Sequence, residues 1–345
     1  MAQVKLLPIK DFLGRDWLDE QSSHAEGSRA WFETIAATTL DPGEEAMFAV
    51  AFDPSGMARA ALPLAVAPDA SLRSLTAPYT TRYCPALNDP EWALYLGEQA
   101  RGYVKTTMRL DALDLADAGM NAYLAGLARS GLSQAMFDHF GNWFEDIGDF
   151  EDYWASRATR LQTTIRRKLN IACRNHSVRF SVSGDTAALS QAARDYLDVY
   201  SSSWKKPEPH PDFIGTLIHK LGKDGFVRLG TLIFDDVVAA AQIWLVHGQR
   251  ATIFKLAHRQ AFAHLSPGTL LTHWLLQSIC RESQPWEIDF GRGDDNYKRD
   301  WLKNRRQRYG SISANWRSGA GVKALFSQIY PTRMTRLWKK VPISS

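Results

Sequence analysis

Residues Thr252 to Arg281 read TIFKLAHRQAFAHLSPGTLLTHWLLQSICR. A strand-like run ends at Lys255-Leu256, an irregular polar connection follows, and Ser266-Pro267-Gly268-Thr269 opens a strongly apolar helix. The first turn of a helix leaves backbone N–H groups unpaired, and the aligned peptide dipoles place partial positive charge there. An anion such as a pyrophosphate docks readily at such an end. Ser266 suits the N-cap, Pro267 the first helical position, and Gly268 leaves room for close approach. A well-capped core helix would use the same four residues, so the motif takes its meaning from what surrounds it.

On either side the pattern alternates. It predicts strands at Val178–Val182, Val227–Phe234, Val237–Val246, Ala251–Leu256, Trp286–Phe290 and Arg308–Arg317, with helices at Thr186–Trp204, Phe213–Leu221 and Thr269–Arg281. Asp235-Asp236 and His247-Gly248-Gln249 punctuate hairpins, making the middle strands antiparallel neighbours. Upstream, Tyr153–Cys173 reads as one long basic helix bridging two domains. The first half predicts a helix at Ser28–Thr39, a hairpin from Ala46–Phe52 and Ala58–Ala67 across Asp53-Pro54-Ser55-Gly56, a helix near Asp89–Gly102 and a strand at Thr106–Leu113. Strands interleaved with helices argue for an α/β (α+β) chain.

At 345 residues, two domains are expected. Hydrophobic residues at 45% and charged residues at 23% exclude a disordered or fibrous chain. Cys84, Cys173 and Cys280 are too few and too scattered for a disulfide framework or a metal site, which suits a reducing compartment. Met1–Phe12 lacks a signal-peptide pattern and no apolar stretch reaches membrane-spanning length, so a cytoplasmic protein is expected. The net charge of +4 is modest, but its distribution is not even. From Arg299 to Lys340 there are eleven Lys and Arg against the single acid Asp300, and Arg157, Arg160, Arg166, Arg167, Lys168, Arg174 and Arg179 form a second acid-free run. Either run faces an anionic partner or is a solvated helix face.

Several motifs in order carry a resemblance: Phe140-Gly141-Asn142-Trp143, Ser203-Trp204-Lys205 with Glu208, Ala239–Val246 (AAAQIWLV), Lys255-Leu256-Ala257-His258, Ser266–Thr269, and Ile288–Trp301 (IDFGRGDDNYKRDW). Together they resemble a GNAT-superfamily family known as CelD-type cellulose-biosynthesis proteins or as acyltransferases, with bacterial ceramide synthases looking similar. The resemblance runs from about Phe140 to Trp316. It implies two tandem GNAT-like domains, each a mixed, mostly antiparallel twisted sheet flanked by helices, as in the related Fem-type transferases. The implied division is a degenerate domain at 1–148, a linking helix at 149–178, an acyl-CoA-binding domain at 179–320 and a basic amphipathic tail at 321–345.

The resemblance further implies an acyl-CoA co-substrate and no metal. Its diphosphate would lie on Ser266, Pro267, Gly268 and Thr269, beside Leu256 and Ala257, with the thioester along a splay next to the following strand. N-acylation needs a neutral amine and a proton for the leaving thiolate. His258 is a candidate base, with Asp289 and Asp294 or Asp295 as rivals; Tyr297 is the candidate acid, and Lys255 or Lys298 can stabilise an oxyanion or a phosphate. Plainer roles exist for each: a polar loop residue for His258, a helix cap for Asp294 or Asp295, and a packed Tyr297–Trp301 pair. Lys255 inside an apolar strand needs a partner, for which Asp289 or Asp294 is expected. Trp204, Lys205, Glu208, Asn142 and Trp143 are expected around the acceptor, although a surface turn with one anchored Trp would also explain the first three.

The tail Gly321–Val341 (GVKALFSQIYPTRMTRLWKKV) mixes apolar residues with cations, which suits either packing on the domain or peripheral contact with an anionic membrane, and Pro331 should interrupt a continuous helix. The expected activity is acyl-CoA-dependent N-acylation of a lipid amine such as a sphingoid base. Alternatives are an amino sugar or cell-envelope precursor as acceptor, a Fem-like aminoacyl-tRNA-dependent transferase whose basic runs bind RNA, and a non-catalytic binding module; no DNA partner is expected.

Overall fold

Three strands pair in succession near the N-terminus of the computed structural model, which describes residues 1–12, 17–87, 89–282 and 286–338. β1 (Gln3–Pro8) pairs antiparallel with β2 (Glu45–Phe52), and β2 with β3 (Ala58–Val66). The second pairing is closed by Asp53, whose carboxylate accepts from the amides of Ser55 at 2.9 Å and Met57 at 3.0 Å. The remaining strands are β4 (Leu72–Ser74), β5 (Ala86–Leu87), β6 (Thr107–Leu113), β7 (Ser133–Ile147), β8 (Val178–Ser183), β9 (Val227–Phe234), β10 (Val237–His247), β11 (Arg250–His258), β12 (Trp286–Arg292) and β13 (Asn304–Ala314). The longer helices are α1 (Arg29–Thr38), α2 (Pro90–Glu98), α3 (Ala118–Arg129), α4 (Phe150–Ala155), α5 (Thr159–Asn175), α6 (Thr186–Ser201), α7 (Pro211–Lys223) and α8 (Pro267–Glu282).

The chain divides into two compact units that are not contiguous in sequence. One comprises 1–22, 26–140 and 307–345; the other 23–25 and 141–306. The implied linear division differs from this because β13 returns to pair with β6, Ile312 opposite Arg109, two hundred residues earlier in the chain. Segment 149–178, expected as a linker, lies wholly within the second unit.

In the first unit the strands run β1-β2-β3-β4-β6-β13, with β5 on β3 and only β4–β6 parallel. α2 and α3 pack so closely that a Cβ at Gly97 would lie 2.2 Å from the Tyr123 carbonyl, and one at Gly126 2.0 Å from that of Leu94. Their apolar residues Leu96, Tyr123 and Leu127 join Leu62, Leu64 and Leu110 of the sheet in one core.

In the second unit the order is β7-β12-β11-β10-β9-β8, antiparallel except for β11–β12. Its core joins Trp244 and Ile253 of the sheet to Leu271 and Leu275 of α8 and to Leu161 and Ile165 of α5. In each unit the strand pairing is mixed and mostly antiparallel with flanking helices, the fold class expected from the sequence. The single bridging helix expected over Tyr153–Cys173 is two, because Ser156–Ala158 break it and Arg157 turns inward to Glu145 at 2.9 Å.

The C-terminal segment is helical through Gly319–Ala324 (α9), a π-helical stretch Leu325–Ile329, and Tyr330–Trp338 (α10). Pro331 does not interrupt it: the π turn immediately before accommodates the missing N–H near the start of α10. Lys339, Lys340 and Val341 lie outside the described residues. No described helix is long and apolar enough to cross a membrane.

Candidate functional site

β11 and β12 pair in parallel only over Arg250–Thr252 against Glu287–Asp289, after which β11 continues to His258 without it. Within β11, Lys255 opposes Ile243 but Ile253 opposes Trp244, so Phe254 is an extra residue that re-aims the strand's end. Where the strands part there is a cavity of about 540 Å³, walled by Leu256 and His258 of β11, by Ser266, Gly268, Thr269 and Thr272 at the start of α8, and by Trp204, Lys205, Asp295 and Tyr297. Ala263 and Trp301 complete the lining. All of these belong to the second unit.

The start of α8 is built with care. Ser266 adopts the left-handed conformation, φ +55° and ψ +49°, and its carbonyl accepts the first helical bond from Leu270 N at 3.1 Å. A non-glycine residue there costs on the order of 1–2 kcal/mol. Pro267 carries no N–H, so the helix's unpartnered donors begin at Gly268 and Thr269. Gln242, fully buried on β10, donates to the Gly268 carbonyl at 2.9 Å and to Thr272 Oγ1 at 2.7 Å, while accepting from Trp244 Nε1 at 3.0 Å. This one amide ties the helix's first turn to the sheet. A Cβ on Gly268 would stand 3.5 Å from His258 Nδ1, so the glycine keeps open the space between helix and imidazole.

Four titratable side chains line the cavity: Lys205, His258, Asp295 and Tyr297. The His258 ring lies 4.3 Å from that of Trp204, and burial, then the charge of Lys205, holds its pKa below the ordinary 6.5. Burial and then the neighbouring Lys255 charge bring Lys205 down to about 8, while its ammonium sits 5.7 Å over Trp204 and 5.9 Å over Tyr200. Burial, then Asp295, pushes the half-exposed Tyr297 phenol up to about 12.

Other expected residues stand elsewhere. Side chains alternate along a strand, so Lys255 and Ala257 face away from the cavity side taken by Leu256 and His258. Lys255 pairs with Glu208 at 2.7 Å rather than with Asp289 or Asp294. Asp289 is fully buried and accepts from Arg306 at 2.6 Å, Asn142 Nδ2 at 2.6 Å and Gly291 N at 2.7 Å. Its carboxylate and Asn142 thus hold β12, β7 and Arg306 together, away from the cavity lining. Asp294 receives two bonds from Arg305, at 2.7 and 2.6 Å, which hold its carboxyl below the usual range. Lys298 is buried and donates to the carbonyls of Arg292 at 2.7 Å and Gly293 at 3.2 Å, clamping the loop that presents Asp295 and Tyr297. Trp143 packs against the core.

The basic runs are partly consumed by such contacts. Arg157 donates to Glu145 and, at 2.6 Å, to the Trp301 carbonyl, which also accepts from Tyr153 Oη at 2.8 Å. That pair of bonds fixes the cavity's Trp301. Gln242, Thr272 and Ala263 were not singled out from the sequence, and Arg157 only as one of the basic run; a lone glutamine inside AAAQIWLV was the available signal for the first, since a buried amide needs partners.

Residues 159–299 match the family model described as Acetyltransferase (GNAT) domain, so this segment of the second unit is a GNAT-fold domain. No match was found among curated proteins. Among solved structures, the chain is similar to the C-terminal (DUF2156) domain of an Agrobacterium fabrum protein provisionally named lysylphosphatidylglycerol synthetase: TM-score 0.58, 14% identity, covering 92% of this chain and 97% of that one. It is similar to FemX at TM-score 0.58 and 11% identity, covering 90% and 96%, and to L-PGS from Bacillus licheniformis at 0.53 and 11%, covering 95% and 97%. At these identities the likeness is one of fold, and it extends over both units.

Proposed function

We propose that the second unit is an acyl-CoA-dependent N-acyltransferase whose acceptor is a lipid amine such as a sphingoid base. The observation that carries this reading is the cavity at the parting of β11 and β12, entered by the first turn of α8 and lined by His258, Lys205 and Tyr297. The residues fit the co-substrate: Gly268 leaves its amide approachable, and the first-turn donors and dipole of α8 favour a diphosphate. Acyl-CoA would supply the thioester. His258 takes one proton from the ammonium group, giving the neutral amine that attacks; Tyr297 Oη donates a proton to the departing sulfur and is re-protonated by the second proton that the nitrogen loses as the amide forms. As the N–C bond forms and the C–S bond breaks, Lys205 balances the negative charge on the carbonyl oxygen. Asp289 and Asp294 are the weaker bases, since both are engaged by guanidinium groups. Trp204, Leu256, Ala263 and Trp301 give the cavity apolar wall suited to an alkyl chain. A lipid acceptor requires access to a membrane surface, which the basic C-terminal segment is proposed to provide.

Calorimetric titration with palmitoyl-CoA tests the reading, with one-to-one binding expected. RNA binding that weakens steeply with salt, with no affinity for acyl-CoA, would replace it by an aminoacyl-tRNA-dependent transferase. Comparing lipids extracted from cells with and without the gene tests the acceptor: loss of an N-acylated long-chain amine is expected, and an unchanged lipid profile refutes it.

A further inference from the structure

The C-terminal helix carries an apolar face turned to solvent. Val322, Phe326, Tyr330 and Met334 are 41%, 69%, 48% and 55% exposed. Four-residue spacing on a pure α-helix drifts by about 40° per step, because 3.6 residues make a turn. The wider π turn at Leu325–Ile329 rotates less per residue and cancels part of that drift, keeping the four side chains on one side. The Phe326 and Tyr330 rings are accordingly 5.6 Å apart. The opposite side is anchored: Ala324 and Ile329 are buried with Ala135, Ile312 and Ala314 in a small core of the first unit. Arg333 reinforces this by donating to the Gln134 carbonyl at 2.8 and 2.6 Å.

We infer that this face docks on an anionic phospholipid surface. A stable helix that buries one side and exposes aromatic and aliphatic residues on the other is the form of an interfacial element. Charge selects the partner: after Asp300 the sequence contains no Asp or Glu through Ser345, while Lys323, beside the stripe, is exposed. Cations at the edge of an apolar face are drawn to anionic headgroups. The docking deepens the membrane contact of the proposed function, but does not depend on acyl transfer, and its test uses no activity.

The full chain is sedimented with vesicles of phosphatidylcholine plus phosphatidylglycerol, or of phosphatidylcholine alone, and sized by light scattering without lipid. Binding to the mixed vesicles, weakened about tenfold on phosphatidylcholine alone and by high salt, is expected. The double variant F326S/M334S should lower partitioning roughly tenfold or more on mixed vesicles. Lys323→Glu, which leaves the apolar stripe intact, should weaken binding to mixed vesicles only. The inference is overturned if binding is equal on both vesicle types, if neither variant changes it, or if the chain is a dimer that F326S/M334S dissolves and that ignores vesicles.

Discussion

Lys255 Nζ lies 2.7 Å from Glu208 Oε1, with the two side chains 15% and 10% exposed, and this contact ties β11 to the segment that precedes α7. Burial still lowers the Lys255 pKa although Glu208 opposes the shift. Removing one partner leaves the other charge buried alone. Lys255→Met and Glu208→Gln should each destabilise the protein by about 3 kcal/mol, and the double variant by less than their sum, as read by urea unfolding. Lys255→Met should also raise the Lys205 pKa above about 8, because a repelling charge is gone.

His258 gives the reaction its expected acid limb. Its pKa lies below 6.5, so kcat/KM should rise with pH through that lowered value and be level by neutral pH. The sign follows from the neutral ring being the active form. A second, falling limb near pH 8 should report Lys205 losing its proton. His258→Ala should lower kcat by about 10²- to 10⁴-fold. Lys205→Met should abolish the alkaline limb and move the acid limb upward, since the charge that depresses His258 is removed; an unmoved acid limb would show that another group acts as base.

Gly268 separates binding from folding. Gly268→Ala places a Cβ at ordinary contact distance from His258, 3.5 Å, and should keep acyl-CoA binding. Gly268→Val should abolish the calorimetric signal while thermal unfolding stays within a few degrees of wild type. At Ser266, whose φ is +55°, Gly should be neutral or stabilising and Val destabilising by about 1–2 kcal/mol.

Gln242→Leu removes the hydrogen bonds that its side chain donates to the Gly268 carbonyl and Thr272 Oγ1 of α8, and strips the acceptor from Trp244 Nε1. A loss of about 1–3 kcal/mol is expected, measured by denaturant titration, together with weaker acyl-CoA binding.

Two of the rival carboxylates, Asp294 and Asp289, can be set apart by substitution. Asp294→Asn, half exposed and paired with Arg305, should leave kcat within about twofold and cost less than about 1 kcal/mol. Arg306→Met strands the fully buried Asp289 and should cost about 3–5 kcal/mol. A large fall in kcat for Asp294→Asn, with stability unchanged, would return that residue to the role of base.

The antiparallel middle of the second unit was legible because its turns carry Asp-Asp and His-Gly-Gln between largely apolar strands. The start of α8 was legible because Ser-Pro-Gly-Thr marks a helix end by local chemistry alone. Nine of the residues named for the site converge on one cavity: Trp204, Lys205, Leu256, His258, Ser266, Gly268, Thr269, Asp295 and Tyr297. What escaped was non-local. That Lys255 finds Glu208, Asp289 finds Arg306 and Arg157 turns inward to Glu145 depends on which strands become neighbours. β7 was missed because Ser133–Ile147 mixes charged and aromatic residues without a clean period of two, and α3 because its small residues Ala118, Gly119, Ala122, Ala125 and Gly126 serve close packing instead of marking an apolar stripe.

The return of β13 to β6 has a consequence for biosynthesis. Everything from 141 to 306 must leave the ribosome before the strand that completes the first unit exists. At roughly 5–20 residues per second, β6 waits on the order of ten to thirty seconds with an unpaired edge. During that interval the nascent chain is most open to chaperone capture, and a premature stop between Phe140 and Asn304 would release a finished N-terminal hairpin on an unclosed sheet.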